Sequence, residues 1–287
     1  MLTQRQCLLL LVPLGLVLLP FLVWPSAFGF LASFTNYAPA QLHVHFVGLA
    51  NYLAVARDPQ LGIAFRNVAV FTLVGVPAEL AIGFVVAYLL RDPFRGRTVL
   101  RVVLLVPWLV SPIASGVMWH FLFNSQTGLL NYWLGWLGLP EQPSPLGLRD
   151  LALLATIITD IWRKSPLASF LLLPGLLSIP LETWEQATLE GTTVLGRISH
   201  VALPGVRPLL LTVALLLVGD ALGTFDSVLI LTGGGPGSAT LTPGLYSYRW
   251  AFQVSVWPIG TTSAWLIVAA VLLIGLIYLW LVRTEAQ

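Results

Sequence analysis

Six ionisable side chains fall inside apolar stretches of this sequence: Glu79, Asp160, Arg163, Lys164, Asp220 and Asp226. A charge at the centre of a bilayer costs roughly 3 kcal/mol or more, so such groups face a cavity, a partner helix or one another. Asp160 and Lys164 are four residues apart, on one face of a helix, and can neutralise each other. Arg163 has no such local partner; it can pair with Asp220 or Asp226, or line an aqueous path beside Trp162. The carboxylates Glu79, Asp220 and Asp226 are also what an ion-coupled secondary transporter would use.

Other chemistry is excluded by residue type. The run Thr232-Gly233-Gly234-Gly235-Pro236-Gly237 is not a phosphate loop, because such a loop ends in Gly-Lys-Ser/Thr and the chain's only lysine, Lys164, follows Arg163. Any ATPase acting with this chain must be a separate subunit. His43 and His45 lie two apart, His120 and His200 are remote from them, and no spacing suggests a metal site. With a single cysteine, Cys7, no intrachain disulfide can form, and no nucleophile-and-base motif is present. The formal net charge is +2 with scattered basic residues, which argues against a nucleic-acid partner.

The elements that must position these groups are membrane spans. The 287 residues are 57% hydrophobic and 9% charged, with a mean hydropathy of +0.88, whereas soluble domains carry about 25% charged residues. Six stretches are long enough to cross a hydrocarbon core of about 30 Å. They fall near 8–33, 64–90, 99–124, 151–177, 205–231 and 259–282. The first follows Arg5 but is too long for a signal peptide and is expected as a retained helix. Arg5, Arg91, Arg95, Arg97, Arg101, Arg197, Arg207 and Arg283 share one side of this arrangement, which places both chain ends in the cytoplasm. Pro107, Pro112, Pro166 and Pro174 are expected to kink the third and fourth spans. In the outer segment 124–150, Tyr132, Trp133 and Trp136 suit a helix at the membrane interface.

The longest amphipathic interruption is Ile179 to Pro208, reading IPLETWEQATLEGTTVLGRISHVALPGVRP. Pro180 can open a helix, Gly191 allows a backbone break, and Thr192 and Thr193 are placed to cap a second helix. The pattern reads as helix, turn, helix outside the lipid.

Within it, Glu185, Ala187, Glu190, Gly191, then Ile198, Val201, Leu203 and Pro204 resemble the EAA motif of ABC importer permeases. Gln186, Glu190, Thr192 and Ile198 stand where that motif has Ala, Asp, Ala and Phe. Three further stretches resemble the carbohydrate-type, MalF-like branch of the binding-protein-dependent transport family. These are Phe46 to Tyr52; Leu122-Phe123-Asn124 with Gly128 and Asn131; and Phe225-Asp226 followed by the glycine run, Thr240, Tyr246 and Ala251-Phe252.

The resemblance implies an all-α polytopic membrane protein with six transmembrane helices and a type I permease core. Residues 1–63 would be an N-terminal helix with its outer segment, and 64–282 a five-helix core carrying the coupling segment 179–208. Glu185, Ala187, Glu190, Gly191, Leu203 and Pro204 would couple to the ATPase. Implied partners are a second permease, two cytoplasmic ATP-binding subunits that use ATP and Mg, an extracytoplasmic substrate-binding protein and the bilayer of a bacterial or archaeal plasma membrane. The chain itself would bind no cofactor. A sugar path needs polar groups for hydroxyls and aromatic faces for the ring, for which Trp119, Trp162, Arg163, Phe225 and Asp226 are the candidates. A phosphorylated polyol such as glycerol phosphate is the alternative cargo, provided Arg163 and Lys164 are unpaired.

Overall fold

The computed structural model describes residues 12–13, 15–38, 43–140 and 142–285, with side chains described to Trp280. The expected start of the first span at Leu8, with Arg5, Cys7 and the Arg283 side chain, lies outside what is described. In chain order the helices are α1 (Gly15–Ala32), α2 (Ala50–Arg57), α3 (Pro59–Leu89), α4 (Arg97–Leu109), α5 (Pro112–Leu122), α6 (Leu129–Trp136), α7 (Arg149–Leu177) and α8 (Leu181–Leu189). They continue with α9 (Val194–Gly223), α10 (Asp226–Leu231), α11 (Pro243–Tyr248) and α12 (Trp257–Glu285). Among the described residues the one β feature is an isolated antiparallel bridge, Thr35 to Phe46.

Four of these helices are long and apolar enough to cross a membrane, and the crossings number up to six if each bent pair, α4 with α5 and α7 with α8, is one span. The chain is thus an all-α polytopic membrane protein. The third and fifth spans depart from the sequence reading. The third is broken, not merely kinked: α4 and α5 meet at 91°. Pro112 disfavours helical geometry at Ser111, which is extended (ψ 147°) and caps α5 by accepting from the Ala114 amide at 3.2 Å. The fourth stays one helix through Pro166 and Pro174. The fifth ends at Gly223 rather than at residue 231, because Thr224 is extended and 226–231 forms the separate helix α10. It also begins early: the second helix of the amphipathic segment is not a separate element but the start of α9, which is continuous from Val194.

The chain divides into two compact units, residues 63–245 with 270–287 and residues 1–62 with 246–269. In the larger unit the apolar faces of α3, α7 and α9 meet through Phe71, Phe84, Leu172, Leu176, Val213 and Leu217. At Gly83 a Cβ would lie 2.5 Å from the Ala168 Cβ, so α3 and α7 touch backbone to backbone. The glycine run forms a turn with positive φ at Gly233 and Gly234 (58° and 82°), a geometry natural to glycine. It is pinned by Asn67, whose amide donates to the Ser238 and Leu241 carbonyls at 2.9 and 3.0 Å. Asn131 closes the 125–142 loop, donating to the Ser125 and Gln142 carbonyls and accepting from the Gln142 amide. The short helix α6 leaves Tyr132, Trp133 and Trp136 exposed.

In the smaller unit, Asn51 donates to the Ser33 and Thr35 carbonyls, both at 2.8 Å, and Tyr52 meets the Ser33 hydroxyl at 2.9 Å. These bonds explain why an Asn-Tyr pair follows the Gly48 turn: they fasten α2 to the end of α1. Tyr246 is buried and donates to Asp58 Oδ2 at 2.7 Å. Burial first, and then that bond to a carboxylate, raise the Tyr246 phenol above its ordinary range. A folded value above the unfolded value of about 10 means that the stabilisation is complete below pH ~10 and lost as pH rises beyond it. The thermal midpoint of the purified protein should fall more steeply above pH ~10 than that of Tyr246→Phe; parallel curves would refute the assignment.

Candidate functional site

The residues singled out in the sequence fall into two groups in the larger unit. The first is a buried charge cluster. Lys164 Nζ lies 2.6 Å from Asp160 Oδ2 and 2.5 Å from Asp220 Oδ2. Arg163 Nη2 lies 3.2 Å from Asp160 Oδ1 and 3.9 Å from Asp220 Oδ2. Lys164 and Asp160 are each 2% exposed, Arg163 is 12% and Asp220 is 56% exposed. Glu79, from α3, is buried against Asp160. Three spans thus share one cluster. Helix α7 can hold so many polar groups because Thr156, Thr159 and Ser165 turn back to the carbonyls four residues earlier.

The Asp160 to Lys164 pairing follows the i, i+4 rule. Arg163 finds its partners in Asp160, one turn back, and Asp220 across the helix interface, rather than in Asp226. Both basic groups are therefore neutralised.

Beside the cluster a cavity of about 260 Å³ is lined by Pro112, Arg163, Gly219, Asp220, Gly223, Thr224, Phe225 and Asp226. The breaks before α5 and after α9 open it, because each leaves an extended residue where a helix would have filled the space. Of the five expected path residues, Arg163, Phe225 and Asp226 come together here. Trp119 and Trp162 do not line it; they pack edge to face with centroids 5.7 Å apart. Asp220 is the better placed carboxylate, at the boundary between cluster and cavity. Among the described residues no group of three or more His, Cys, Asp or Glu side chains is placed to hold a metal ion.

The second group is the amphipathic segment. Helix α8 bends 82° away from α7 and starts after Pro180, whose ring cannot continue the preceding helix. Gly191, with φ +73°, ends it. Thr192 does not cap the next helix as anticipated: its hydroxyl donates back to the Ala187 carbonyl and closes α8. Thr193 caps α9, accepting from the Gly196 amide at 3.2 Å. Glu185, Glu190 and Gly191 are exposed, with Leu189 87% and Leu195 77% exposed beside them. Ala187 is buried beneath, together with Trp184. Leu203 and Pro204 lie farther along α9, after a π-helical turn at Ile198–Ala202.

Trp184 and Arg91 escape the sequence reading. The Arg91 guanidinium stands over the Trp184 ring, 3.8 Å from its centroid. The one signal in the sequence is Trp184 itself, a large aromatic in an otherwise polar helix.

An all-helical membrane subunit with an exposed amphipathic turn at the end of its spans and a charged cavity among them is a transport permease. The chain belongs to the family of binding-protein-dependent transport system inner membrane components, whose model matches residues 79–284. It is 33% identical over 271 residues to the trehalose/maltose transport system permease protein MalF of Thermococcus litoralis, covering 94% of this chain and 91% of that one. It is 30% identical over 280 residues to the sulfoquinovosyl glycerol transport system permease protein SmoG of Agrobacterium fabrum, covering 96% and 90%. Among solved structures it resembles a bacterial ABC transporter involved in the import of the acidic polysaccharide alginate. The TM-score is 0.83 at 21% identity, over 99% of this chain and 98% of that one. A second alginate transporter structure, in complex with an alginate pentasaccharide-bound periplasmic protein, gives 0.85 at 19% identity over 99% and 96%.

Lys164→Met should destabilise the protein by about 3 kcal/mol, since it takes the closer cation from the buried Asp160 carboxylate and leaves it Arg163 alone. Adding Asp160→Asn should recover part of the loss. Thermal unfolding of the purified protein in lipid nanodiscs checks both; a neutral Lys164→Met would mean the cluster is not what joins α7 to α9.

Proposed function

We propose that this chain is one of two permease subunits of an ATP-driven importer of a carbohydrate in a bacterial or archaeal plasma membrane. Residues 64–282 act as the permease core, and both chain ends and the 179–208 segment face the cytoplasm. There a pair of ATP-binding subunits, using ATP and Mg, engages α8 and the turn at Glu190-Gly191. An extracytoplasmic binding protein delivers the substrate. Closure of the ATP-binding subunits pulls the two coupling segments together, and the spans tilt so that the path faces outward. The observation that carries this reading is the exposed acidic-Gly turn, with Glu185 and Leu189 outward and Ala187 inward, at the head of a helix that runs to the charged cavity.

The cavity's chemistry supports a neutral polyhydroxyl cargo. Asp220 and Asp226 accept from hydroxyls, Arg163 donates, and Phe225 offers a face to the C–H surface of a ring. A phosphorylated polyol is disfavoured by the pairing of both Arg163 and Lys164 with carboxylates. The relatives named for trehalose, maltose and sulfoquinovosyl glycerol are consistent with a hydroxyl-rich substrate. The roles of Glu185, Ala187, Glu190, Gly191, Leu203 and Pro204 in coupling, and of Arg163, Phe225 and Asp226 in the path, belong to this proposal. Trp119 and Trp162 support the wall of α5 and α7.

The test is ATP hydrolysis by the reconstituted complex, with and without sugar-loaded binding protein. Gly191→Pro and Glu190→Lys should abolish the stimulation while the subunits still co-purify. Transport by this chain alone, indifferent to ATP and to both substitutions, would defeat the reading in favour of ion coupling. Separately, Asp226→Asn should lower sugar uptake at least about tenfold, the weight of one charged hydrogen bond, with the α7 to α9 cluster and thermal stability preserved. Unchanged uptake would remove Asp226 from the path.

A further inference from the structure

Helix α8 is joined to its neighbours by two short turns, and only Trp184 and Ala187 on it are buried. A short helix held so lightly cannot deliver a displacement unless something fixes it to a span. Covalently it connects to α7 and α9, yet its buried ring packs on α3. Trp184 meets Tyr88, near the end of α3, with centroids 6.1 Å apart and planes at 60°. Arg91 lies over both rings, 3.8 Å from the Trp184 centroid and 5.1 Å from that of Tyr88.

The guanidinium is held in orientation. Arg91 Nε and Nη2 donate to Asp92 Oδ1 at 2.9 and 2.8 Å, and Nη2 also reaches Oδ2 at 3.0 Å. Its Nη1 is buried, with no hydrogen-bond partner among the described residues, which fits a group whose work is stacking. The backbone beneath it is fixed as well. The Leu90 and Arg91 carbonyls, left over at the C-terminal end of α3, accept from Arg101 at 3.1 Å and Arg97 at 3.0 Å. Arg91 therefore stands on a rigid end of α3 and presses a planar cation onto the one large side chain that α8 buries. Lysine could not replace it, because a flat guanidinium stacks and pairs bidentately at the same time and an ammonium does not.

We propose that Arg91 is a positioning residue that locks α8 to α3 through Trp184, so that α8 carries α3 with it whenever α8 moves. This rests on the coupling role given to α8 above. It adds a second route into the core, through α3 and its buried Glu79, to the covalent route through α9.

The experiment places spin labels at Glu182→Cys on α8 and Val85→Cys on α3, in a Cys7→Ser background, in the full complex with its ATP-binding subunits in lipid nanodiscs. The distance distribution is measured without nucleotide and after trapping with ATP and vanadate. With Arg91 present, a single narrow distance, the same in both states, is expected. Arg91→Ala should shift the balance between docked and undocked α8 by roughly 2- to 30-fold, the range of a cation–π contact, giving a broadened distance that differs between the states. Arg91→Lys should fall between, and Trp184→Phe, which keeps a ring, should stay near the unaltered distribution. If Arg91→Ala fails to assemble, Arg91→Lys against Trp184→Phe carries the same comparison.

A distance that already changes between states in the unaltered chain, or that is untouched by Arg91→Ala and Arg91→Lys alike, overturns the proposal. Failure of the coupling reading is separate: it shows as indifference of stimulated ATP hydrolysis to Gly191→Pro, whatever the distances do.

Discussion

The core of the larger unit depends on one shared cation. Lys164 is buried between Asp160 on its own helix and Asp220 on α9, and it meets a buried carboxylate and a half-exposed one at the same time. Taking an ammonium out of water costs several kcal/mol, so the arrangement persists only because two acceptors meet it at hydrogen-bond distance and Arg163 completes the neutralisation. The consequence is positional. Helices in lipid gain little from apolar contact with one another, since the tails are as apolar as Leu; the register of α7 is set by this ionic contact with α9 and by the close approach to α3 at Gly83. The cavity inherits its shape from that register, because Arg163 and Asp220 belong to both.

Parts of this were legible in the sequence for reasons that can be named. The Asp160 to Lys164 pair is local, and helix geometry alone brings the two together. Pro112 announced a disturbed third span, since proline constrains both itself and the residue before it. The turn at Gly191 was readable because an acidic amphipathic stretch met a residue tolerant of positive φ. What stayed hidden depends on distant partners. Asp226 and Asp220 are equally plausible mates for Arg163 on a linear chain, and only the end of α9 at Gly223 decides between them. That end was invisible to hydropathy, because Asp226 to Leu231 continues almost as apolar as the span before it. Pro166 and Pro174, unlike Pro112, lie within one continuous helix, α7.

Trp184 and Arg91 show the same limit. They are far apart on the chain, and each has a sufficient bland explanation, an interface aromatic and a positive residue flanking a span. Their meeting is a tertiary fact. By contrast, the Asn residues of the matched motifs, Asn51 and Asn131, turn out to tie loops to helix ends through backbone carbonyls, an architectural use that motif resemblance alone could not distinguish from a binding one.

The continuity of α9 has a mechanical corollary. Its 30 residues without a break make a rod of about 45 Å at ~1.5 Å per residue, with the Glu190-Gly191 turn at one tip and Asp220 close to the other. If such a rod pivots near its middle by about 10°, each tip travels roughly 4 Å, in opposite senses. The π-helical turn at Ile198–Ala202 lies on the arm that meets the turn and the proline at position 208 at the middle, so any give in the rod falls on that arm and at the pivot. The other arm, anchored through Asp220 to Lys164, moves as a stiff indicator of wherever the pivot sends it.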